Sequence, residues 1–190
     1  MSIYTIFLVW YNISRKKSYG GHDGMKFIVE SERLLIRPFK KTDAKEYYEM
    51  TTDSLIRSYV PFAFEESYEA TYEMIDNYYS HGDCVYDFYL VLEEKETHKI
   101  IGAIIATAIR TYPLSLDVCI LTDAAHRKQG FMFEALIAFK DALPKSTELI
   151  FVIDRTNEAS IKTITKLPGI VEKPLESPLK KKVYQFSLMT

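Results

Sequence analysis

Of the four glycines after Met25, namely Gly82, Gly102, Gly130 and Gly169, Gly130 is the one placed to do chemistry. It falls where an alternating run, Leu114 to Leu121, gives way to helical spacing that Pro144 stops. At such a junction Lys128, Gln129, Gly130, Phe131 and Met132 contribute backbone N–H groups with no partner inside the helix. The helix dipole adds partial positive charge, Arg127 and Lys128 add full charges, and a glycine lets an anion approach the main chain. A phosphate or pyrophosphate suits these features. The competing reading is an ordinary helix start with a solvated basic face. No Gly-x4-Gly-Lys-Ser/Thr loop and no Gly-x-Gly-x-x-Gly turn is present, which argues against nucleoside triphosphates and Rossmann dinucleotides. His22, His81, His98 and His126 show no paired ligand spacing, so no metal is expected. Cys119 has no histidine at a suggestive distance and lies in a β-run, so it reads as a buried structural thiol.

The elements that must position this junction are legible around it. Arg33 to Phe39 reads as a short strand closed by Pro38. Thr42 and Asp43 can cap a helix to about Met50. A turn at Tyr59 to Phe62 precedes a helix from about Ser67 to Ser80, where Tyr68, Tyr72, Ile75 and Tyr79 recur at helical spacing. Asp87 to Glu93 and Ile100 to Arg110 are β-rich runs around a hairpin turn. In Leu114 to Leu121, Leu114, Leu116, Val118 and Ile120 share one face, while Ser115, Asp117, Cys119 and Leu121 share the other. Gln129 to Leu143 is a helix with Met132, Leu136, Phe139 and Leu143 in one stripe. A strand at Glu148 to Asp154, a helix at Asn157 to Leu167 and a strand at Val183 to Met189 complete a mixed α/β (α+β) domain.

Bulk composition agrees with one soluble domain. Its 190 residues are 47% hydrophobic and 26% charged, enough for a real core. A net charge of −2 speaks against a dedicated nucleic-acid binder. Cys84 and Cys119 have no metal or redox spacing, which fits a reducing cytoplasm. A monomer or a homodimer is expected, with no membrane partner.

The run Asp117 to Leu121, then His126 to Phe131, then Glu134-Ala135-Leu136 resembles the acyl-CoA motif of GNAT N-acetyltransferases. That motif reads Gln/Arg-x-x-Gly-x-Gly/Ala, and Arg127 and Gly130 fill its first two fixed places. Asn157-x-x-Ser160, with Lys166-Leu167 before Gly169-Ile170, resembles the second motif of the ribosomal-protein N-terminal acetyltransferase branch. Arg33 to Phe39 with Asp43-Ala44 looks like that branch's opening strand. The resemblance covers about residues 30 to 189. It implies a mainly antiparallel central sheet flanked by about four helices. It also implies acetyl-CoA as co-substrate, with its pyrophosphate on the amides of residues 127 to 132 and its pantetheine along Val118, Cys119, Ile120 and Leu121. Acetyl transfer to a primary amine, either a protein N-terminus or a small molecule, needs no metal.

In the resembling branch an acidic residue at Asp117 is a candidate base, against the alternative of a surface carboxylate at a sheet edge. Ser160 can protonate the leaving thiolate or stand as a solvated helix serine, and Asn157 can touch the coenzyme or merely cap its helix. Many relatives carry a tyrosine as acid one turn further on, where this chain has Ile164. Met132 stands where the family prefers glycine or alanine, and either crowds the pyrophosphate or joins Leu136 and Phe139 in the core. Tyr59, Phe62 and Phe64 can line an acceptor pocket, and Glu65, Glu66, Glu69 and Glu73 an acidic rim for a basic acceptor. The alternative function is a degenerate acyl-CoA-binding or regulatory module without turnover.

Residues 1 to 24 read as an upstream extension ahead of a single domain spanning 25 to 190. Ile3 to Tyr11 is too short to span a bilayer, and the charges Arg15-Lys16-Lys17 follow it rather than precede it, unlike a secretory signal. An extra edge strand at Ile3 to Tyr11 is the other reading. Tyr19-Gly20-Gly21 can be encoded by a GGAGG-containing ribosome-binding stretch. N-terminal sequencing of the native protein is expected to begin at Met25, and a peptide from residues 2 to 17 would refute that start.

Overall fold

The computed structural model describes residues 27–61, 63–79, 86–111, 113–174 and 182–190. The proposed extension at residues 1–24, with its alternative edge strand, lies outside them, as do Phe62, Ser80 and Cys84. One eight-stranded sheet organises the chain, with spatial order β1-β2-β3-β4-β5-β6-β8-β7. Its strands are β1 (Val29–Glu30), β2 (Leu34–Pro38), β3 (Phe88–Glu94), β4 (Ile100–Thr111), β5 (Leu114–Thr122), β6 (Glu148–Asp154), β7 (Val171–Lys173) and β8 (Val183–Met189). Every pairing is antiparallel except β5 with β6.

Five α-helices occur among the described residues: α1 (Ala44–Thr51), α2 (Ser54–Tyr59), α3 (Tyr68–Met74), α4 (Phe131–Ala142) and α5 (Glu158–Ile164). The strand β5 shows why helices cover both faces. Leu114, Leu116 and Val118 pack with α4 in one core cluster that also holds Phe131, Met132, Leu136, Phe139 and Ile164. Leu121, with Cys119 beside it, belongs to a second cluster with Tyr47 and Met50 of α1, Ile56 of α2 and Met74 of α3. Alternation along one strand thus serves two apolar layers instead of one core and one wet face.

Several expected boundaries shift, for local reasons. Asp43 does not cap α1. It sits in a 3-10 turn, accepts from the Lys40 amide at 2.7 Å, and pairs with the buried Arg37 at 2.7 Å. Arg37 also meets Glu93 at 2.7 Å, so one guanidinium joins β2, β3 and the approach to α1. The helix expected from Gln129 begins at Phe131, because Gly130 is left-handed at φ 84°. The Asn157 helix starts one residue later, with Asn157 as its cap, and ends at Ile164. Short β1, β7 and α2 carry too few periodic residues for a pattern to be read.

Gly102 on β4 is fixed by close approach. A Cβ built there would lie 2.6 Å from the Leu121 carbonyl oxygen and 3.1 Å from the Leu92 side chain. The main chain of β5 cannot retreat without giving up its register. Gly102→Ala is therefore expected to cost about 1–3 kcal/mol, seen as a fall in the thermal midpoint of about 2–4 °C per kcal/mol.

Candidate active site

The parallel pair sets the site. β5 and β6 are in register only at Ser115–Glu148, Leu116–Leu149 and Asp117–Ile150, yet β5 continues to Thr122 and β6 to Asp154. Beyond Asp117 the two strands part and leave main chain on their facing edges unpaired with each other. A cleft of about 270 Å³ fills the gap, lined by Asp117, Val118, Cys119 and Ile120 on one side and by Phe151 to Asp154 on the other. Asn157, Ser160 and Ile164 of the α5 region, Lys182, and the Ser58 to Pro61 segment complete its walls. The closed end is pinned by Glu148, which accepts from Ser115 at 3.2 Å and from Ser187 at 2.6 Å, joining β5, β6 and β8.

The crossover from β5 to β6 runs through α4, so the start of α4 lies just past the end of β5, where the strands have opened. Lys128 and Gly130 are both left-handed, at φ 63° and 84°, and left-handed residues of this kind recur in anion-binding backbone nests. Lys128, Gln129 and Gly130 are exposed. Among the described residues nothing accepts from the amides of residues 127–133, and the first helical bond is Glu134 N–H to the Gly130 carbonyl at 3.0 Å. The loop is a cradle of N–H donors at a helix terminus, suited to an anion. A side chain at position 130 would be strained at that φ and would stand 3.6 Å from Arg33.

The side chains around the cradle are arranged less simply than their sequence suggests. Met132 is 6% exposed and lies in the core beside Leu136 and Phe139, so it does not crowd the loop. Of the basic trio, His126 bonds Asp123 at 2.6 Å and Arg127 forms an ion pair with Asp53 at 2.6 Å. Arg127 also donates to the Thr122 carbonyl at 3.3 Å. Its side chain is turned to α2, so of this trio Lys128 is the one with no ion pair among the described residues. Gln129 bonds back to the Ala125 carbonyl at 2.8 Å, which stiffens the turn. The residue that sequence spacing missed is Arg33. Its guanidinium stacks 4.1 Å over the Phe131 ring, donates to the Gln129 carbonyl at 3.1 Å and pairs with Glu134 at 2.7 Å. Glu134 also accepts from Ser31 and from the Arg33 amide. Burial raises its carboxyl, but these bonds outweigh that and hold it below the usual range.

Asp117 and Ser160 both line the cleft, as does Asn157. Asp117 sits on the last paired rung with no ion pair among the described residues. Burial raises its carboxyl from 3.8 to about 6, opposed by the Val118 amide. Cys119, expected to be buried, is partly exposed where it lines the cleft, and its thiol is pushed far above the normal range, first by burial and then by the Asp117 charge, which disfavours the thiolate. Asn157 Oδ1 accepts from the Ser160 amide at 3.2 Å, the capping role, and Asn157 also lines the cleft. Ile164 is fully buried at the cleft floor. Tyr59 lines the cleft, whereas Phe64 packs under Arg57 at 4.5 Å.

The short parallel contact thus opens toward the side on which the Gly130 loop begins α4. The sequence matches the model of the acetyltransferase (GNAT) domain over residues 33–168. No curated protein matches the chain significantly. Among solved structures, a GNAT-family acetyltransferase from Bacillus anthracis superposes with TM-score 0.70 at 17% identity, covering 86% of this chain and 98% of that one. RimL, described as a ribosomal L7/L12 alpha-N-protein acetyltransferase, superposes with TM-score 0.73 at 12% identity, covering 92% and 100%. A ribosomal-protein-S5-alanine acetyltransferase from Vibrio fischeri gives 0.60 at 20% identity, covering 86% and 96%. These identities speak for the fold alone, but the domain match spans most of the chain, and on it this protein belongs to the GNAT acetyltransferase family.

Proposed function

We propose that the protein transfers an acetyl group from acetyl-CoA to a primary amine by direct attack on the thioester. The observation that carries this reading is the parting of β5 and β6 beside the Gly130 cradle, with Asp117 at the last rung before the gap. The diphosphate of the coenzyme fits the main-chain amides of Arg127, Lys128, Gln129, Gly130, Phe131 and Met132, of which Lys128, Gln129 and Gly130 are exposed, while the Met132 side chain is held in the core. The pantetheine arm fits the free edge at Val118 to Leu121, whose main-chain groups need a partner.

The amine forms its bond to the acetyl carbon as the carbon–sulfur bond breaks. Starting from the ammonium, one proton leaves to solvent to give the neutral amine, a second must leave the nitrogen as the amide forms, and one must reach the sulfur. Asp117 takes the proton that leaves as the amide forms and returns it to solvent. At about 6 its carboxylate is a better base than an ordinary one, yet still several units below an ammonium near 10, so a water relay fits. The Ser160 hydroxyl supplies the proton that reaches the sulfur, with Asn157 fixing the start of its helix. The family's ribosomal-protein N-terminal acetyltransferases are the branch this chain resembles, and a protein α-amine is the acceptor that likeness favours. The buried Ile164, where many relatives have tyrosine, supports the second reading, a module that binds the coenzyme without turnover. Calorimetry with acetyl-CoA and thiol release over a panel of N-terminal peptides and small amines separates the two. Binding without release for every amine would favour the module, and no binding would remove both.

Asp117→Asn is expected to lower turnover by about 10²–10³-fold while the coenzyme Kd changes by less than about threefold. In the wild type the rate should rise with pH through about 6, and that limb should vanish in the variant. The linkage runs the opposite way for stability. A carboxyl raised on folding costs nothing below its unfolded value near 3.8 and its full penalty above about 6. The variant should therefore be the more stable form at pH 8, by about 1–3 kcal/mol, with the gap closing as pH falls through 6. Unchanged turnover would remove Asp117 from the mechanism.

At the cradle, Gly130→Ala and Gly130→Glu share the strain of a positive φ, about 1–2 kcal/mol, but only the second sets a carboxylate against the diphosphate. Calorimetry should find a modest loss for alanine and a loss of about 100-fold or more for glutamate. Equal affinities would mean that no anion rests there.

A further inference from the structure

The helix α2 is tethered at both ends to the two sides of the cleft. At its start, Asp53 accepts from the Leu55 and Ile56 amides, both at 3.1 Å, and the same carboxylate holds Arg127 of the cradle loop at 2.6 and 3.4 Å. The Arg127 bond is the largest of the causes that hold Asp53 below the usual carboxylate range. At the other end the Tyr59 hydroxyl lies 3.2 Å from both the Thr156 carbonyl and its Oγ1, on the turn between β6 and α5. Thr156 is itself fixed by Asp154, which accepts from its amide at 2.8 Å and from its hydroxyl at 2.6 Å. Between the tethers Ile56 is buried in the core, and Ser58 to Pro61 form a wall of the cleft.

We infer that Asp53 and Arg127 are positioning residues, which set α2 from the cradle loop and so make the acceptor wall of the cleft respond to the bound coenzyme. This rests on the cradle holding the coenzyme diphosphate. An anion that orders residues 127–132 fixes the Arg127 backbone. The Arg127–Asp53 bond passes that ordering to α2, and Tyr59 passes it to the far wall. The pair joins positions 74 residues apart, and no other described ion pair links α2 to the loop.

Asp53→Asn isolates the charge, since asparagine caps a helix as well as aspartate does. Hydrogen exchange at residues 54–60 would be followed in wild type and variant, with and without saturating acetyl-CoA, whose Kd for each is measured by calorimetry. In the wild type acetyl-CoA should slow exchange of these amides by about threefold or more. In the variant acetyl-CoA should still bind, within about threefold of the wild-type Kd, but its effect on residues 54–60 should be lost. An equal coenzyme effect in both proteins would overturn the proposal, as would its absence in a wild type that binds. No acetyl-CoA binding by the wild type would instead refute the cradle on which the proposal rests. Asp53→Ser, a second competent cap, replaces the variant if it does not fold. If neither folds, the pair is a stability element and the positioning role is wrong.

Discussion

Everything at the site follows from one short parallel contact in an otherwise antiparallel sheet. Parallel neighbours cannot be joined by a tight turn, so the chain must cross over, and here it does so through α4. A crossover helix begins at the carboxyl end of the strand it follows. That end is where β5, after three rungs with β6, is left with an open edge. The anion cradle and the cleft are thus neighbours by topology, and the Glu148 bonds to Ser115 and Ser187 keep the opposite end closed. Open α/β sheets place ligands at strand carboxyl ends for the same reason.

The arrangement has an energetic cost. Main-chain groups left without partners lose the bonds that a continuous ladder would supply, and Lys128 occupies a left-handed conformation that disfavours side chains. Asp117 adds a largely buried carboxyl with no ion pair among the described residues. The rest of the molecule offsets these by packing both faces of the sheet. One layer is formed by α4 and α5, the other by α1, α2 and α3, and buried Arg37 ties β2 to β3 with two carboxylates. An ion pair of this kind contributes more to fixing geometry than to net stability. The unsatisfied groups are concentrated along the cleft and the Gly130 loop.

The charged residues near the cradle divide into two kinds. Lys128 faces outward and can meet a phosphate directly. Arg33 and Arg127 are committed to carboxylates, Glu134 and Asp53, and act on the loop from behind. A family motif that fixes an arginine at position 127 therefore does not by itself assign that side chain to the ligand. Its guanidinium instead holds Asp53 at the start of α2.

What the sequence alone determined was local. Alternation over Leu114 to Leu121 defines β5 and places Asp117 and Cys119 on one face. The stripe of Met132, Leu136 and Phe139 defines the buried side of α4, and its phase correctly sends Met132 inward. Gly130 marks the helix start because a left-handed residue is needed there, and Asn157 is legible as a cap. These are statements about neighbours within a few positions, where steric and capping preferences act. Tertiary structure decided the rest: that β5 and β6 part after Asp117, that Arg33 lies against Gln129 across 96 residues, and that Arg127 reaches Asp53 across 74. A charge or an open strand edge carries no local mark of its partner. Which groups meet depends on how the layers pack, and six-residue α2 or three-residue β7 is too short for its periodicity to declare it.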